Sequence, residues 1–292
     1  MISIDPKEIP VGTLHGYLLG AVSPRPICFA STVDSEGKVN LSPYSFFNVF
    51  SANPPIMIFS PARRVRDNTT KHTLENILET KEVVINIVSH AMVQQMSLSS
   101  TEYAKGVNEF TKAGFTEMPS SIVNPPRVKE APMQFECKVN EVIGLGSEGG
   151  AGNLVICEVV KVHMHEEILD ADGKIDPFKI DTVARMGGNW YSRAKEGIFE
   201  VEKPLRTLGI GVDSLPLSVK LSKTLTGNDL GMLANVEMLP DSSEIDTFVA
   251  QISEPYQYLI TSGTDAEIHE EAQSLLQQGN VHEAWLLLLS KK

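Results

Sequence analysis

The densest group of side chains suited to chemistry is Asn40-Leu41-Ser42-Pro43-Tyr44-Ser45-Phe46-Phe47-Asn48-Val49, followed by Asn53-Pro54-Pro55. Short polar groups alternate here with aromatics on a strand-to-loop segment. That mixture suits a flat amphipathic ligand, with apolar walls along a ring plane and hydroxyls and amides at its polar edge. A strand with one polar face accounts for the same residues, and the segment alone does not separate the two.

A second group, Thr69-Thr70-Lys71-His72-Thr73-Leu74-Glu75-Asn76-Ile77, places hydroxyls and a lysine at the start of a predicted helix over 73–80. Free backbone N–H groups and the helix dipole make such an end an anion site, and Lys71 adds a full charge. Arg63, Arg64 and Arg66 just upstream make this the most basic stretch of the chain. The plain alternative is helix capping by Thr73, with the arginines on a solvated face.

Other signals are weaker. Gly144-Leu145-Gly146-Ser147-Glu148-Gly149 spells a dinucleotide fingerprint, but Gly152-Asn153 leads into Leu154-Val155-Ile156-Cys157, a strand where the fingerprint needs a helix. It reads as a hairpin turn. His163-Met164-His165 puts two imidazoles on one strand face without the further ligands a metal requires. Asp170-Ala171-Asp172-Gly173-Lys174 opens like a calcium loop, but neither its glycine nor its closing acid is in register, so it reads as a tight turn. Met92-Val93-Gln94-Gln95-Met96 reads as a core stripe. Tyr103, Lys105 and Phe110 lie in a polar, loop-like insertion positioned to cover a bound ring.

The elements that must position these groups are mostly strands. Pro26–Val33 and Val39–Ser42 flank the turn Asp34-Ser35-Glu36-Gly37 and form a hairpin. Ile56–Ser60 is a short apolar run suited to burial on both faces, and Val83–Val88 is another strand. Met133 to Gly144 and Leu154 to Glu166 form a long hairpin. Many short strands with single helices between them argue for a mainly β fold, a barrel with peripheral helices. From about residue 226 the spacing becomes helical. Asp229 to Glu237 is one helix, Thr264–Glu267 is a capping box for the next, and Gln278-Gly279-Asn280 separates it from a helix carrying Trp285 to Leu289. Thr226 or Asn228 in the polar stretch Leu221–Gly231 is placed to cap a helix. Pro204 and Gly209-Ile210-Gly211 mark a seam, giving domains over 1–205 and 206–292.

Thirty-seven acids against 25 Lys and Arg give a net charge of −12, which argues against a nucleic-acid partner and leaves room for one local basic pocket. No apolar run reaches the length of a membrane span, and the acidic start Met1–Glu8 has no secretion-signal pattern. Cys28, Cys137 and Cys157 lie far apart within apolar runs, as buried thiols of a reducing compartment do, so a cytoplasmic protein is expected.

The segments Ser23-Pro24-Arg25-Pro26, Ser42–Asn48 with Pro54-Pro55, Lys71-His72-Thr73-x-x-Asn76-Ile77 and Ala184–Arg193 together resemble the flavin reductase-like, FMN-binding split-barrel proteins, in the family's order over roughly residues 20 to 195. The family commonly has Lys-Asp-Thr where this chain has Lys71-His72-Thr73. The resemblance implies a split barrel with a C-terminal helical extension, FMN as cofactor and NADH or NADPH as electron donor. It implies that Ser45, Phe46, Phe47, Asn48 and Val49 line the isoalloxazine and ribityl chain. Ser60, Lys71 and Thr73, with Arg64, are then candidates for the phosphate, and Tyr191 with Asn189 or Trp190 for closing over the flavin. No side-chain nucleophile or base is implied, because the flavin carries the chemistry. A homodimer with FMN near the interface and a small-molecule or protein electron acceptor are implied as well. Three functions fit such a chain: a flavin reductase, a flavoprotein electron carrier without a nicotinamide site, and a binding module that uses the C-terminal helices.

Overall fold

The computed structural model describes residues 1–201 and 203–291. It divides into two compact units, Met1–Phe199 and Glu200–Lys292.

The first unit is built on eleven strands: β1 (Cys28–Val33), β2 (Val39–Tyr44), β3 (Phe47–Ala52), β4 (Pro55–Phe59), β5 (Glu82–Ile87), β6 (Glu117–Met118), β7 (Arg127–Val128), β8 (Met133–Gly144), β9 (Asn153–Met164), β10 (Val183–Arg185) and β11 (Tyr191–Arg193). Its helices are α1 (Val11–Ala21), α2 (His72–Thr80), α3 (Val93–Leu98) and α4 (Glu109–Ala113). Seven strands form one antiparallel sheet in the order β2-β1-β5-β8-β9-β4-β3. Laid flat, its edge strands would stand ~29 Å apart, at ~4.8 Å per strand spacing. Yet β2 ends at Tyr44 and β3 begins at Phe47, and three residues span at most ~11 Å. The sheet must therefore curl until its two edges meet at Ser45-Phe46. The result is a barrel closed by its own chain at one point and split beyond it.

Alternation along β1 shows the layering. Cys28 and Ala30 enter the barrel core with Met57, Phe59, Val83 and Ile85, while Ile27 and Phe29 join a second core with Met92, Met96 and Phe110 under α3 and α4. Every residue of β1 is buried as a result. Strand β4, expected to be covered on both faces, buries only Met57 and Phe59. The helix α2 seals the barrel: Leu74 and Ile77, three apart, face the core, and Asn76 Nδ2 donates to Thr32 Oγ1 at 3.2 Å. The long β8–β9 hairpin forms as expected, with bulges at Glu136/Cys137 and Val139/Glu141 that bend twelve-residue strands around the barrel. No helix follows Gly144–Gly149, which belongs to this hairpin's connection. The Asp170–Lys174 segment is a turn with Gly173 at φ 76°, where Asp170 Oδ1 accepts from the Asp172 and Lys174 amides. All three cysteines are free and share the barrel core.

Helix α1 was not expected from the sequence. It carries Gly12, Gly16 and Gly20, has no side-chain N-cap bond and buries no residue, so neither capping nor an apolar stripe announces it.

The second unit contains α5 (Leu217–Lys220), α6 (Gly227–Ala234), α7 (Ser242–Gln251), α8 (Glu254–Ser262), α9 (Asp265–Gln277) and α10 (Val281–Ser290) around its own core of Leu233, Leu275, Leu276, Trp285 and Leu287. Trp285 Nε1 donates to the Leu233 carbonyl at 3.0 Å. Thr226 with Asp229 and Thr264 with Glu267 form capping boxes. Asn280 occupies the N-cap of α10, but its side chain makes no capping bond.

Candidate functional site

Three adjoining chambers form a cleft in the first unit. The first and second share Tyr44 and Ser100, and the second and third share Ser97 and Tyr191. The three hydrophilic-end residues of β2 that alternate along one face, Asn40, Ser42 and Tyr44, all line the first chamber.

That first chamber is strongly polar and carries the site's clearest charge. Lys71 is the N-cap of α2 and is half-buried, and no hydrogen bond or ion pair to its Nζ occurs among the described residues. Burial, and then the neighbouring Arg64 charge, hold its pKa below the usual lysine value. Arg64 is committed differently: its Nη1 donates to Thr69 Oγ1 at 2.8 Å and to the Thr70 carbonyl, and its Nε lies 3.3 Å from Glu102, off the hydrogen-bonding axis. Thr73 does not cap α2. It sits inside the helix, where its Oγ1 accepts from Asn40 Nδ2 at 2.8 Å, and its own proton stays available for a second acceptor.

Tyr44 adds the decisive detail. Its ring packs on Phe59 in the barrel core, and its hydroxyl is buried near the Thr73 and Ser42 hydroxyls, which act to lower its pKa, but makes no hydrogen bond of good geometry among the described residues. Burial pushes its pKa up to about 12, so the group is a neutral phenol able to donate. A buried phenol and an unpaired cation thus share one chamber beside the N-terminus of a nine-residue helix, features that attract acceptor oxygens, with the Glu102 and Glu109 carboxylates lining the same chamber.

The second chamber, of ≈ 190 Å³, has apolar walls from Ile27, Pro43 and Met96 and polar edges from Ser45, Ser97 and Ser100. Tyr191 closes one side, with the Arg185 guanidinium 4.6 Å above its ring centroid. Arg25 stands behind this wall, buried. It donates to the carbonyls of Leu19, Val22 and Met186, so it ties the C-terminus of α1 to the β10–β11 turn. Its Nε reaches Ser45 Oγ at 3.5 Å.

The cleft therefore gathers Ser45, Arg64, Lys71, Thr73 and Tyr191 from the expected residues. It does not gather the others. Phe46 is exposed and meets His15 edge-on, and Phe47 packs against the barrel core. Asn48 and Val49 are exposed on the edge strand β3, where Asn48 Oδ1 accepts from the Val49 amide. Ser60 is buried, and its Oγ accepts from the Asn153 amide at 3.0 Å, which joins β4 to the start of β9. Asn189 and Trp190 are exposed in the β10–β11 turn. Phe110 belongs to the second core and Lys105 pairs with Glu75 at 3.3 Å, whereas Tyr103 does line the first chamber. His163 Nε2 lies 2.7 Å from Glu136 Oε1 and is occupied there.

The sequence model of the flavin reductase like domain matches residues 20–179. The chain belongs to the flavin reductase-like family. The second unit, Glu200–Lys292, lies outside that match. This flavin reductase-like chain is 37% identical over 188 residues to an uncharacterized protein of Aquifex aeolicus, covering 64% of this chain and 93% of that one. Nitrilotriacetate monooxygenase component B from Bacillus cereus has a similar structure, at 30% identity and a TM-score of 0.64 over 70% of this chain and 98% of its own. So does 2-nitrobenzoate 2-nitroreductase from Pseudomonas fluorescens, at 26% identity and a TM-score of 0.62 over 72% of this chain and all of its own. The split barrel is thus the fold of a flavin-handling family, and the cleft is its candidate flavin site.

Proposed function

We propose that the cleft binds FMN and that the protein is an NAD(P)H-dependent flavin reductase, active as a cytoplasmic homodimer, that hands electrons to a second acceptor. The observation that carries this reading is the unpaired Lys71 beside the buried Tyr44 hydroxyl, with an apolar chamber next to them. FMN has the matching parts, a phosphate with free acceptor oxygens and a flat apolar ring. Lys71, Tyr44, Thr73 and Arg64 would hold the phosphate end, and Ile27, Pro43, Met96 and Tyr191 would wall the ring. When bound, the flavin supplies a centre that accepts a hydride and releases electrons singly or in pairs. The residues of this chain orient the ring, exclude water from one face and place charge around it.

The dimer is supported by the edge strand. Val49 and Phe50 are 58% and 63% exposed on β3, beside the exposed Phe46, an apolar edge of the kind that pairs with another chain. Likeness to a monooxygenase component and to a nitroreductase supports a partner oxygenase or a small reducible molecule as the acceptor.

The test is an anaerobic absorbance titration of the purified protein with FMN, then NADH, then NADPH. Bleaching of the bound-flavin band by either nucleotide supports the reductase reading and identifies the donor. Bound flavin that neither nucleotide reduces makes the protein an electron carrier. No flavin binding ends the proposal.

A further inference from the structure

We propose that Arg185 sets the reduction potential of the bound flavin by facing the negative charge that the ring gains on reduction. This rests on the reading that the cleft binds FMN.

Arg185 lies on β10 and lines the central chamber. Among the described residues its guanidinium makes no hydrogen bond and has no carboxylate within ion-pair distance. Stacking on Tyr191 at 4.6 Å fixes it in the chamber wall without using any of its five N–H donors.

Its neighbourhood is unusually positive. The backbones of Arg25 and Arg185 bond reciprocally, at 2.9 and 2.8 Å. Arg25 satisfies its donors with carbonyl oxygens and has no acidic partner among the described residues, so its charge persists. Burial, and then the Arg185 charge, lower the Arg25 pKa, which places the two guanidinium charges within mutual influence. Adjacent like charges without a counter-ion are unfavourable, and in a chain of net charge −12 the acids to neutralise them were available elsewhere. On the proposed placement the phosphate of the ligand does not explain them, because it would lie with Lys71 in the first chamber.

The second negative charge comes from the reaction itself. A reduced pyridine nucleotide that delivers a hydride loses one C–H bond and leaves as the oxidised nucleotide. The two electrons and one proton it delivers add one negative charge to the ring system until solvent supplies a further proton. A guanidinium held in the chamber wall stabilises that charge more than it stabilises the neutral oxidised ring.

The experiment uses the full chain loaded with FMN. Affinity for oxidised FMN is titrated, and the midpoint potential is measured by anaerobic equilibration with reference dyes, for wild type, R185Q and R185K. The expected result for R185Q is oxidised-FMN affinity within about threefold of wild type. Its preference for the reduced flavin should fall about tenfold, a shift of about 30 mV to lower potential for a two-electron couple. R185K should stay within about twofold of wild type. An unchanged potential in R185Q overturns the proposal, as does an equal shift in R185K, which would mean loss of the stacked shape and not of charge. A raised KM for the nucleotide with no change in potential also overturns it, by assigning Arg185 to the donor's phosphates. Wild-type protein that binds no FMN defeats the flavin reading itself and this inference with it.

Discussion

Replacing Lys71 with Met tests the anion chamber most directly. Met keeps most of the aliphatic stem and removes the charge. Lys71 Nζ has no partner among the described residues, so the substitution breaks no internal bond, and its whole effect falls on the ligand. A hydrogen bond to a charged group contributes about 1.5–3 kcal/mol. Lys71 is half-buried, so water screens part of this, and the lower half of the range applies. That predicts a loss of roughly 10- to 40-fold in FMN affinity. Arg64 remains and retains some of the attraction.

The stability sign is opposite to that of most lysine losses. The folded-state pKa of Lys71 lies below the ordinary value, through burial first and Arg64 second, so folding disfavours its charged form. That penalty is present at neutral pH and disappears as pH rises through the folded pKa. K71M should therefore have an unchanged or slightly higher Tm. The assay is fluorescence-quenching titration with FMN and, in parallel, with riboflavin, which has the same ring and no phosphate. Riboflavin affinity should be unaffected by K71M, and the FMN difference should shrink as salt is raised. An equal loss for FMN and riboflavin would refute the reasoning, because Lys71 would then act on the ring or the fold.

Tyr44→Phe removes a buried hydroxyl without a well-formed hydrogen bond; it should stabilise the fold by up to about 1–3 kcal/mol of recovered desolvation and so raise Tm, while weakening FMN binding, and parallel melting and titration curves check the opposite signs. Glu136 is fully buried; burial would raise its pKa, but bonds from the Ser121 amide, His163 and the Ile122 and Val123 amides bring it to about 2. Its stabilisation is accordingly present above pH ~4.5 and lost as pH falls towards 2, so Glu136→Gln should cost about 2–4 kcal/mol at neutral pH and flatten the acid limb of a stability–pH curve. Phe50→Glu on the exposed edge strand should convert the proposed dimer to monomer in analytical ultracentrifugation, with the thermal transition little altered.

The elements were legible wherever local rules decide them. Met133–Gly144 was recognisable as a strand from its residues alone, and Thr264–Glu267 as a helix start. Elements whose stability comes from long-range packing were not. The run Ile56–Ser60 is as apolar as a doubly buried strand, but coverage of a second face depends on which helices arrive there. They arrive at β1, where Phe29 and Ile27 meet the α3–α4 layer, and not at β4. The site divided in the same way. Lys71 and Thr73, which line the first chamber, sit at a helix start that is readable from the sequence. Tyr44 lies in the same segment as residues 45–49, at the end of β2 and beside the turn into β3. The period-two face Asn40, Ser42, Tyr44 was the usable signal, since alternate strand residues share a side. Nothing local links Arg25 to Arg185, which are joined only through a bridge across 160 positions of chain.

The same topology explains why the cleft lies where it does. A seven-stranded antiparallel sheet whose edge strands are sequential neighbours must close at their junction and open away from it. Ser45, at that junction, lines the ring chamber. The split leaves the polar face of β2 uncovered by another strand, so α2 and the segment around Ser100 cover it instead. A helix N-terminus thereby meets a strand face rich in hydroxyl and amide groups. The chamber proposed for the phosphate thus lies where the barrel fails to close, and the chamber proposed for the ring is walled by the late hairpin β10–β11 through Arg185 and Tyr191. Substitutions that alter the seam at Ser45 should for this reason change flavin affinity even when they touch no ligand atom, because they move the two chambers relative to each other.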